Sequence, residues 1–488
     1  MADDATAPVK ATDTMMRLYN TATRREEAFL PGADNTVRMY TCGLTVYARG
    51  HIGNFRTFIC IDVLRRTLTH LLGYTVRQVM NFTDVDDRTI LGAQTAGMDL
   101  RSYTDQYIAM FREDVRALGL EEIEEMPRAT DELNLRSMAD MIATLGDRGH
   151  TYRSDGSIYF KISTLPEYGR LARLDHEGMK PGARVDSDNY AKEDARDFVL
   201  WKAHREGEPA WEFPDKGITP GRPGWHIECS AMALRLLGES PIDIHAGGID
   251  LIFPHHENEI AQSEGATGRP FSRFWVHVEY LNVDDQKMSK SLGNVYTIPD
   301  VIAKGFRPSA VRYLLLSAHY RKQLNFTWAS LGQAEEALRR LTDFLVRLTG
   351  VTREGTDPAI AARVSEARTA FADAMRDDLN TAAALGAMFE LVRALNSAAD
   401  SGALGVGDVP VIRQAFDEFD AVLGVLSLRQ AEDDRPPVPV EEIERMIEER
   451  HAARRRRDFA AADLVRDDLA ARGVLLEDSA GGTRWKRK

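Results

Sequence analysis

Cysteine is scarce in this chain: Cys42, Cys60 and Cys229 are the only three in 488 residues, an odd number spread far apart. That is no framework for disulfides in a protein of this size, so reduced thiols, free or metal-bound, are expected. Long apolar runs are also missing, which sets aside a bilayer-spanning helix and any membrane partner. The segment Met1 to Lys10 is small, polar and partly acidic, without the basic start and apolar stretch of a secretory signal, and a cytoplasmic protein is expected. A surplus of positive charge is lacking too. Lys and Arg number 62 against 75 Asp and Glu, a net charge of −13, so a phosphate-binding surface would have to come from a local cluster. Internal repeats and long low-complexity tracts are absent.

At 488 residues the chain exceeds one ordinary core, and two to four domains are expected. The stretch from Thr36 to Leu72 reads as a strand (Val37, Met39, Tyr40, Thr41, Cys42), a glycine-containing turn, then a helix carrying Phe58, Val63, Leu64 and Leu68. Further extended stretches at Tyr74 to Asn81, Ile242 to His245 and Phe274 to Leu281 alternate with helical patterns. The fold class is therefore α/β, a Rossmann-like, mostly parallel sheet. Roughly Asp114 to Lys202 reads as an insertion with its own helices and polar loops. From about Phe326 helix formers dominate, as in Gln333 to Leu348, Ala359 to Arg376 and Thr381 to Asn396, which predicts a helical bundle. The run Gln430 to Val440 contains Pro436, Pro437 and Pro439 among acidic residues, as a stiff linker does, and a small module follows. The expected domains are 18–325, with the insertion at about 114–202, then 326–429 and 440–488.

Three groups of residues point to chemistry. His51, Ile52, Gly53 and Asn54 fall where the first strand turns into the first helix, and unpaired N–H groups at a helix start can receive phosphate oxygens. A capped helix start with a surface histidine would look the same. Lys287, Met288, Ser289, Lys290 and Ser291, followed by Leu292, Gly293 and Asn294, form a cationic loop able to close on a polyphosphate and offset charge as pyrophosphate leaves. A solvated basic loop is the alternative, made less attractive by the histidine motif upstream. Cys42, Cys229, His255 and Glu259 offer two thiolates, an imidazole and a carboxylate, a plausible tetrahedral zinc set. On a helix starting near Pro254, His255 and Glu259 share a face, whereas His256 and Glu257 are expected to point elsewhere. Spacing alone does not decide between this set and two buried thiols beside a helix cap.

Together with the stretches Met39 to Tyr47, Asn81 to Asp87, Gly224 to Ser230 and Phe253 to Glu259, these residues resemble the cysteinyl-tRNA synthetases of class I, from about Leu18 to the C-terminus. The resemblance implies ATP-dependent activation of L-cysteine to cysteinyl-adenylate and transfer to the terminal adenosine of cysteine tRNA. It implies one Zn2+ per chain on Cys42, Cys229, His255 and Glu259, in contact with the substrate sulfur, and Mg2+ with ATP. Gly43, Thr83, Trp225 and His245 would line the cysteine pocket. His51, Asn54, Gly248, Asp250 and Lys290 would bind ATP, with His51, Asn54, Lys287 and Lys290 acting in catalysis. Asn54 stands where many class I enzymes carry a second histidine; it keeps a donor but cannot carry charge. A monomer is the expected state.

The motifs do not separate this activity from that of ligases passing cysteine to an amino-sugar; the C-terminal part does. Met446 to Leu469 reads as helical, with Arg454 to Arg457, Phe459, Arg466 and Arg472, and the end, Gly481 to Lys488, sets Trp485 among cations. Arginines can bind phosphate and bases can stack on tryptophan, although a solvated helix with Trp485 tucked against it fits composition equally. Resemblance to an anticodon-binding module favours the first, and the bundle with Asp377 to Thr381 resembles a domain that carries the tRNA stem. A catalytically inert RNA-binding relative would be expected to have damaged motifs, and His51, Lys287, Lys290 and the four candidate ligands are all present.

Overall fold

The computed structural model describes residues 15–174, 197–238, 240–289, 292–435, 438–479 and 482–487. Its centre is a four-stranded parallel sheet in the order Ser272–Val278, Ile242–Gly248, Thr36–Thr41, Thr75–Met80. Every one of these strands is largely buried, and their β-branched and apolar runs are those of a sheet covered on both faces. Chain order along the sheet reverses between the Thr36 and Ile242 strands, the position at which open α/β sheets hold their ligands. The register pairs Thr41 with both Ala246 and Met80, so Cys42 and Asn81 leave the sheet together at one edge, beside Gly247, which stays paired with His277.

Three helices bring side chains to that edge. Ile52–Arg66 follows the first strand, Trp225–Leu237 precedes the third, and Glu257–Thr267 follows it. Ahead of the last of these, Ile252 to His256 form a kinked turn in which Phe253 is extended (φ −138°, ψ 132°). Leu281–Val283, Gln286–Lys287 and Leu324–Phe326 make a small sheet beside the main one. The insertion differs from expectation: besides helices it contributes to a five-stranded antiparallel sheet built from Thr151–Ser154, Ser157–Phe160, Phe198–Ala203, Trp211–Phe213 and Ile218–Pro223, the last two lying beyond the expected boundary at Lys202. These strands are three to six residues long and Ser157–Phe160 is buried on both faces, so no alternation marks them. Residues 175–196 of that segment lie outside the described residues.

Helices Trp328–Arg347, Pro358–Arg376, Thr381–Asp400 and Val409–Leu423 form the expected bundle. Leu426–Asp433 continues into the stretch read as a linker, of which Pro436 and Pro437 lie outside the described residues. The terminal helix expected over Met446 to Leu469 is two helices, Val440–Arg455 and Phe459–Ala471. Arg457 takes a left-handed turn (φ 61°) and Asp458 caps the second helix on the Ala461 N–H. A hairpin, Val474–Ser479 with Gly482–Arg487, completes the module around Ile443, Ile447, Leu469 and Val474.

A buried ion pair between helices Ile52–Arg66 and Pro308–Leu316 ties the bundle to the sheet through the Leu423 carbonyl. Arg312 Nη2 donates to Asp62 Oδ2 at 2.5 Å, and its other donors reach the carbonyl oxygens of Leu423 and Leu118. Arg66 and the Glu121 N–H complete the carboxylate's shell at 2.8 Å each. Burial would raise the Asp62 pKa, but the Arg312 and Arg66 guanidiniums outweigh it and hold it below its ordinary value. This contribution to stability is present above the usual carboxylate range and is lost as pH falls through the depressed folded value. Arg312→Met should leave the Asp62 charge buried without its principal partner and cost about 3–5 kcal/mol in urea unfolding, while Asp62→Asn combined with Arg312→Met should recover much of that loss.

Candidate active site

The loop after the first strand is fixed by tight backbone approach. Cys42 N–H donates to the Ala246 carbonyl at 3.3 Å, Gly43 N–H donates to Asn81 Oδ1 at 3.0 Å, and Thr83 N–H donates to the Leu44 carbonyl at 3.0 Å. A Cβ on Gly43 would lie 1.7 Å from the Asn81 carbonyl oxygen, so no other residue fits there.

Cys42, Cys229, His255 and Glu259 are brought together, all buried, with their donor atoms within 4.8 Å of one another. Cys42 Sγ lies 3.8 Å from Cys229 Sγ and 3.5 Å from Glu259 Oε1, and His255 Nε2 lies 3.0 Å from the same oxygen. Two thiolates bound roughly 2.3 Å from a tetrahedral ion would stand about 3.8 Å apart, and a thiolate and carboxylate about 3.5 Å. The cluster therefore fits a divalent ion of zinc's size and borderline-soft character. Outer contacts hold it: His226 Nδ1 lies 2.9 Å from His255 Nδ1, and the Trp225 ring stacks on His255 at 4.2 Å.

His256 is a correction. It stands three residues before Glu259, and the helix start is buried on every side, so its Nε2 lies 3.4 Å from Cys42 Sγ, and Cys42, His245, His256 and Glu259 form a second group that could hold an ion. Its Nδ1 is bonded to His277 Nε2 at 2.8 Å, and His277 reaches the Thr21 hydroxyl. Burial, then the neighbouring imidazoles, push His256 well below its usual pKa, so its ring is neutral. Glu257 does point away, accepting the N–H groups of Gly169 and Ala172 in the insertion at 2.7 and 2.9 Å.

The other expected pocket residues surround this cluster. Thr83 Oγ1 donates to Glu228 Oε2 at 2.7 Å, and fully buried His245 sits behind Glu259 with Nε2 2.9 Å from Oε2. Gly248 and Asp250 follow at the end of the third strand, where a Cβ on Gly248 would come 2.5 Å from Asp250 Oδ1.

His51 caps the first helix. Its Nδ1 accepts the Asn54 N–H at 3.3 Å and its N–H donates to Asn54 Oδ1 at 3.0 Å, which places the ring proton on Nε2 and turns the Asn54 amide N–H groups outward. The Ile52 N–H is taken by the Tyr296 carbonyl, leaving the Gly53 N–H without an acceptor among the described residues. No acid occupies the first turn. The lysine loop lies directly over this helix start, since a Cβ on Gly53 would fall 2.0 Å from Met288 Cε. Lys287 Nζ sits 5.1 Å from the Tyr280 ring. Lys290 and Ser291 lie outside the described residues. Cys60 is buried within the helix, away from this chemistry. Sequence reasoning missed Asn81 and Glu228 as working residues, although both stand within the motif stretches.

Residues 28–336 match the family model of the tRNA synthetases class I (C) catalytic domain, and residues 370–428 match that of the DALR domain. A cysteine–tRNA ligase of Solibacter usitatus is 51% identical over 97% of this chain and 100% of its own length. One from Koribacter versatilis is 45% identical with the same coverage. The chain belongs to the cysteine–tRNA ligase family. Among solved structures, a Mycobacterium tuberculosis methionyl-tRNA synthetase bound by methionyl-adenylate shares the fold at TM-score 0.60 and 15% identity, over 80% of this chain and 92% of that one. The family's class I sheet thus carries the cluster just described at its switch point.

Charge within the cluster is uneven in the metal-free protein. Burial, then the Cys229 neighbour, raise Cys42 well above the usual thiol value. Burial opposes ionisation of Cys229 as well, but the Cys42 S–H and the His255 imidazolium bring it to about 6. His255 is lowered by burial yet lifted to about 10 by Glu259 and Cys229, and Glu259, raised by burial, is brought to about 2 by His245 and His255. At pH 7.5 the cluster therefore retains a Cys42 thiol proton and a His255 imidazolium proton. Zinc binding should release about two protons, read by calorimetry in buffers of differing ionisation enthalpy; a release near zero would contradict this charge arrangement. Gly43→Ala, by forcing the loop off Asn81, should abolish cysteine-dependent activity while an ATP analogue still binds, as seen by equilibrium dialysis.

Proposed function

We propose that this protein joins L-cysteine to cysteine tRNA in two ATP-driven steps, and that Cys42, Cys229, His255 and Glu259 hold one Zn2+ that recognises the substrate sulfur. The observation that carries this is the buried two-thiol, imidazole and carboxylate cluster lying beside an unacidic helix start at the switch point of a class I sheet. Of the two possible groups, this one supplies two thiols at tetrahedral spacing, and the other only one.

Zinc held by these four residues would supply a Lewis acid able to lower the substrate thiol's pKa. Serine is nearly isosteric, but its hydroxyl is a harder donor that does not ionise near neutral pH, so no separate editing site is needed. Around the sulfur, Gly43, Thr83, Trp225 and His245 shape the pocket, and its walls exclude water. ATP, with Mg2+, lies along Gly248, Asp250 and the helix start. A cysteine carboxylate oxygen attacks the α-phosphorus, the bond to the bridging oxygen breaks and pyrophosphate leaves with that electron pair. The Gly53 N–H, the His51 Nε2–H and Asn54 stabilise charge on the phosphate oxygens, while Lys287 and Lys290 offset the charge on the leaving group. The ribose hydroxyl of the tRNA's terminal adenosine then attacks the activated carbonyl, releasing AMP.

The acceptor is read from the remainder of the chain. Residues 18–325 act as the catalytic unit, 326–429 carry the tRNA stem and 440–488 bind the anticodon. Arg455, Arg456 and Arg457 are exposed and make no ion pair among the described residues, with exposed Phe459 beside them, whereas Arg454 pairs with Asp478 and Arg466 with Asp463. Trp485 is half-buried against the small core and offers part of its ring for stacking. Among the described residues no helix is long and apolar enough to cross a membrane, and we read the chain as a cytoplasmic monomer.

The purified protein should exchange pyrophosphate into ATP only with cysteine, and should charge cysteine tRNA. Modification of an amino-sugar without tRNA charging would overturn the acceptor assignment. Lys287→Ala should lower kcat for exchange roughly 100-fold with little change in zinc content. Truncation after Asp434, just past the helix Leu426–Asp433, should preserve exchange and lose tRNA charging.

A further inference from the structure

The one amide of Asn81 meets both thiol-bearing segments and Thr83. Its Oδ1 accepts the Gly43 N–H at 3.0 Å, next to Cys42, and lies 3.6 Å from Cys229 Sγ. Its Nδ2 donates to Thr83 Oγ1 at 3.3 Å. The Gly43 N–H needs an acceptor, which fixes the way the amide faces, and the side chain is buried beyond the reach of competing water.

We infer that Asn81 is the positioning residue of the cysteine pocket, orienting Thr83 so that its hydroxyl accepts a hydrogen bond from the α-ammonium of the substrate. The inference rests on the reading above that Thr83 faces the substrate cysteine. A hydroxyl has one proton and two lone pairs. The Thr83 proton goes to Glu228 at 2.7 Å and one lone pair receives the Asn81 N–H, so a single lone pair remains, with its direction set by the other two bonds. An acceptor so placed suits a cation and not a second acceptor, which favours the ammonium end of the amino acid over its carboxylate. Because the same amide holds Gly43, the distance between this acceptor and Cys42 is fixed along with it. The two ends of a small substrate, sulfur and ammonium, are thereby measured against one side chain.

The test uses full-length, zinc-loaded protein and cysteine-dependent pyrophosphate exchange across a range of cysteine concentrations. Thr83→Val and Asn81→Ala should each raise KM for cysteine roughly tenfold, with a smaller effect on kcat. The double variant should be no worse than the more affected single one, because Asn81 acts through Thr83. Thr83→Ser should restore the parent KM. Asn81→Asp keeps the acceptor for Gly43 and loses the donor to Thr83, so it should still raise KM although its buried carboxylate lowers Tm, and Asn81→Ser, which adds no charge and is too short to reach Thr83, should raise KM in the same way and covers the case in which Asn81→Ala does not fold. In the Co2+-substituted protein Asn81→Ala should shift the thiolate-to-metal absorption and Thr83→Val should leave it in place. A parent KM in Asn81→Asp, or effects that multiply in the double variant, would overturn the inference. Absence of exchange in the parent would instead defeat the function proposed above.

Discussion

Glu259 is a carboxylate with no exposed surface, and its two oxygens meet two imidazoles, His255 at 3.0 Å and His245 at 2.9 Å. A buried charge of this kind is tolerated only when paired and bonded on both sides. Satisfying it dictates much of what lies nearby. His255 must come from the turn just before the same helix, His245 from the middle of the adjoining strand, and Cys42 must arrive within 3.5 Å from the neighbouring strand. The parallel register supplies that arrival, because it sets Thr41 level with Ala246, one residue beyond His245.

Side-chain and backbone chemistry divide the work at this edge of the sheet. On one side, soft and charged side chains converge and are held by stacked rings and by the His256–His277–Thr21 chain. On the other, the first helix offers a backbone N–H, a capping histidine whose tautomer is set by its own cap bond, and no acid to repel phosphate. The Met288 contact over Gly53 places the lysine loop next to this second half. An amino-acid end and a nucleotide end are thus distinct in chemistry and adjacent in space.

Much of this was legible in the residues. The strand, glycine turn and helix from Thr36 to Leu72 showed in their periodicity, and the four-residue spacing of His255 and Glu259 placed them on one face. What failed did so for local reasons. His256 stands three residues before Glu259 and so shares a face with it as well, and spacing did not show that this helix start is buried on every side. The five-stranded sheet of the insertion escaped because its strands are short and, at Ser157–Phe160, buried on both faces. Asn81 could be seen as part of a motif, but its role depends on contacts to Gly43, Thr83 and Cys229, which are remote from one another in sequence. In the terminal module, Met446 to Leu469 read as one helix because the break at Arg457 is a single left-handed residue.

The turn and first helical coil at His255 to Glu259 also reach outward. Glu257, between the inward-facing residues, clasps the N–H groups of Gly169 and Ala172, while Asn258 Oδ1 takes the Tyr168 hydroxyl at 2.6 Å. The inserted segment is therefore moored to the same few residues that gather the thiols and imidazoles. Any disturbance that rotates this stretch of chain is transmitted to both, so the outlying antiparallel sheet and the sulfur-recognising centre behave as one mechanical unit.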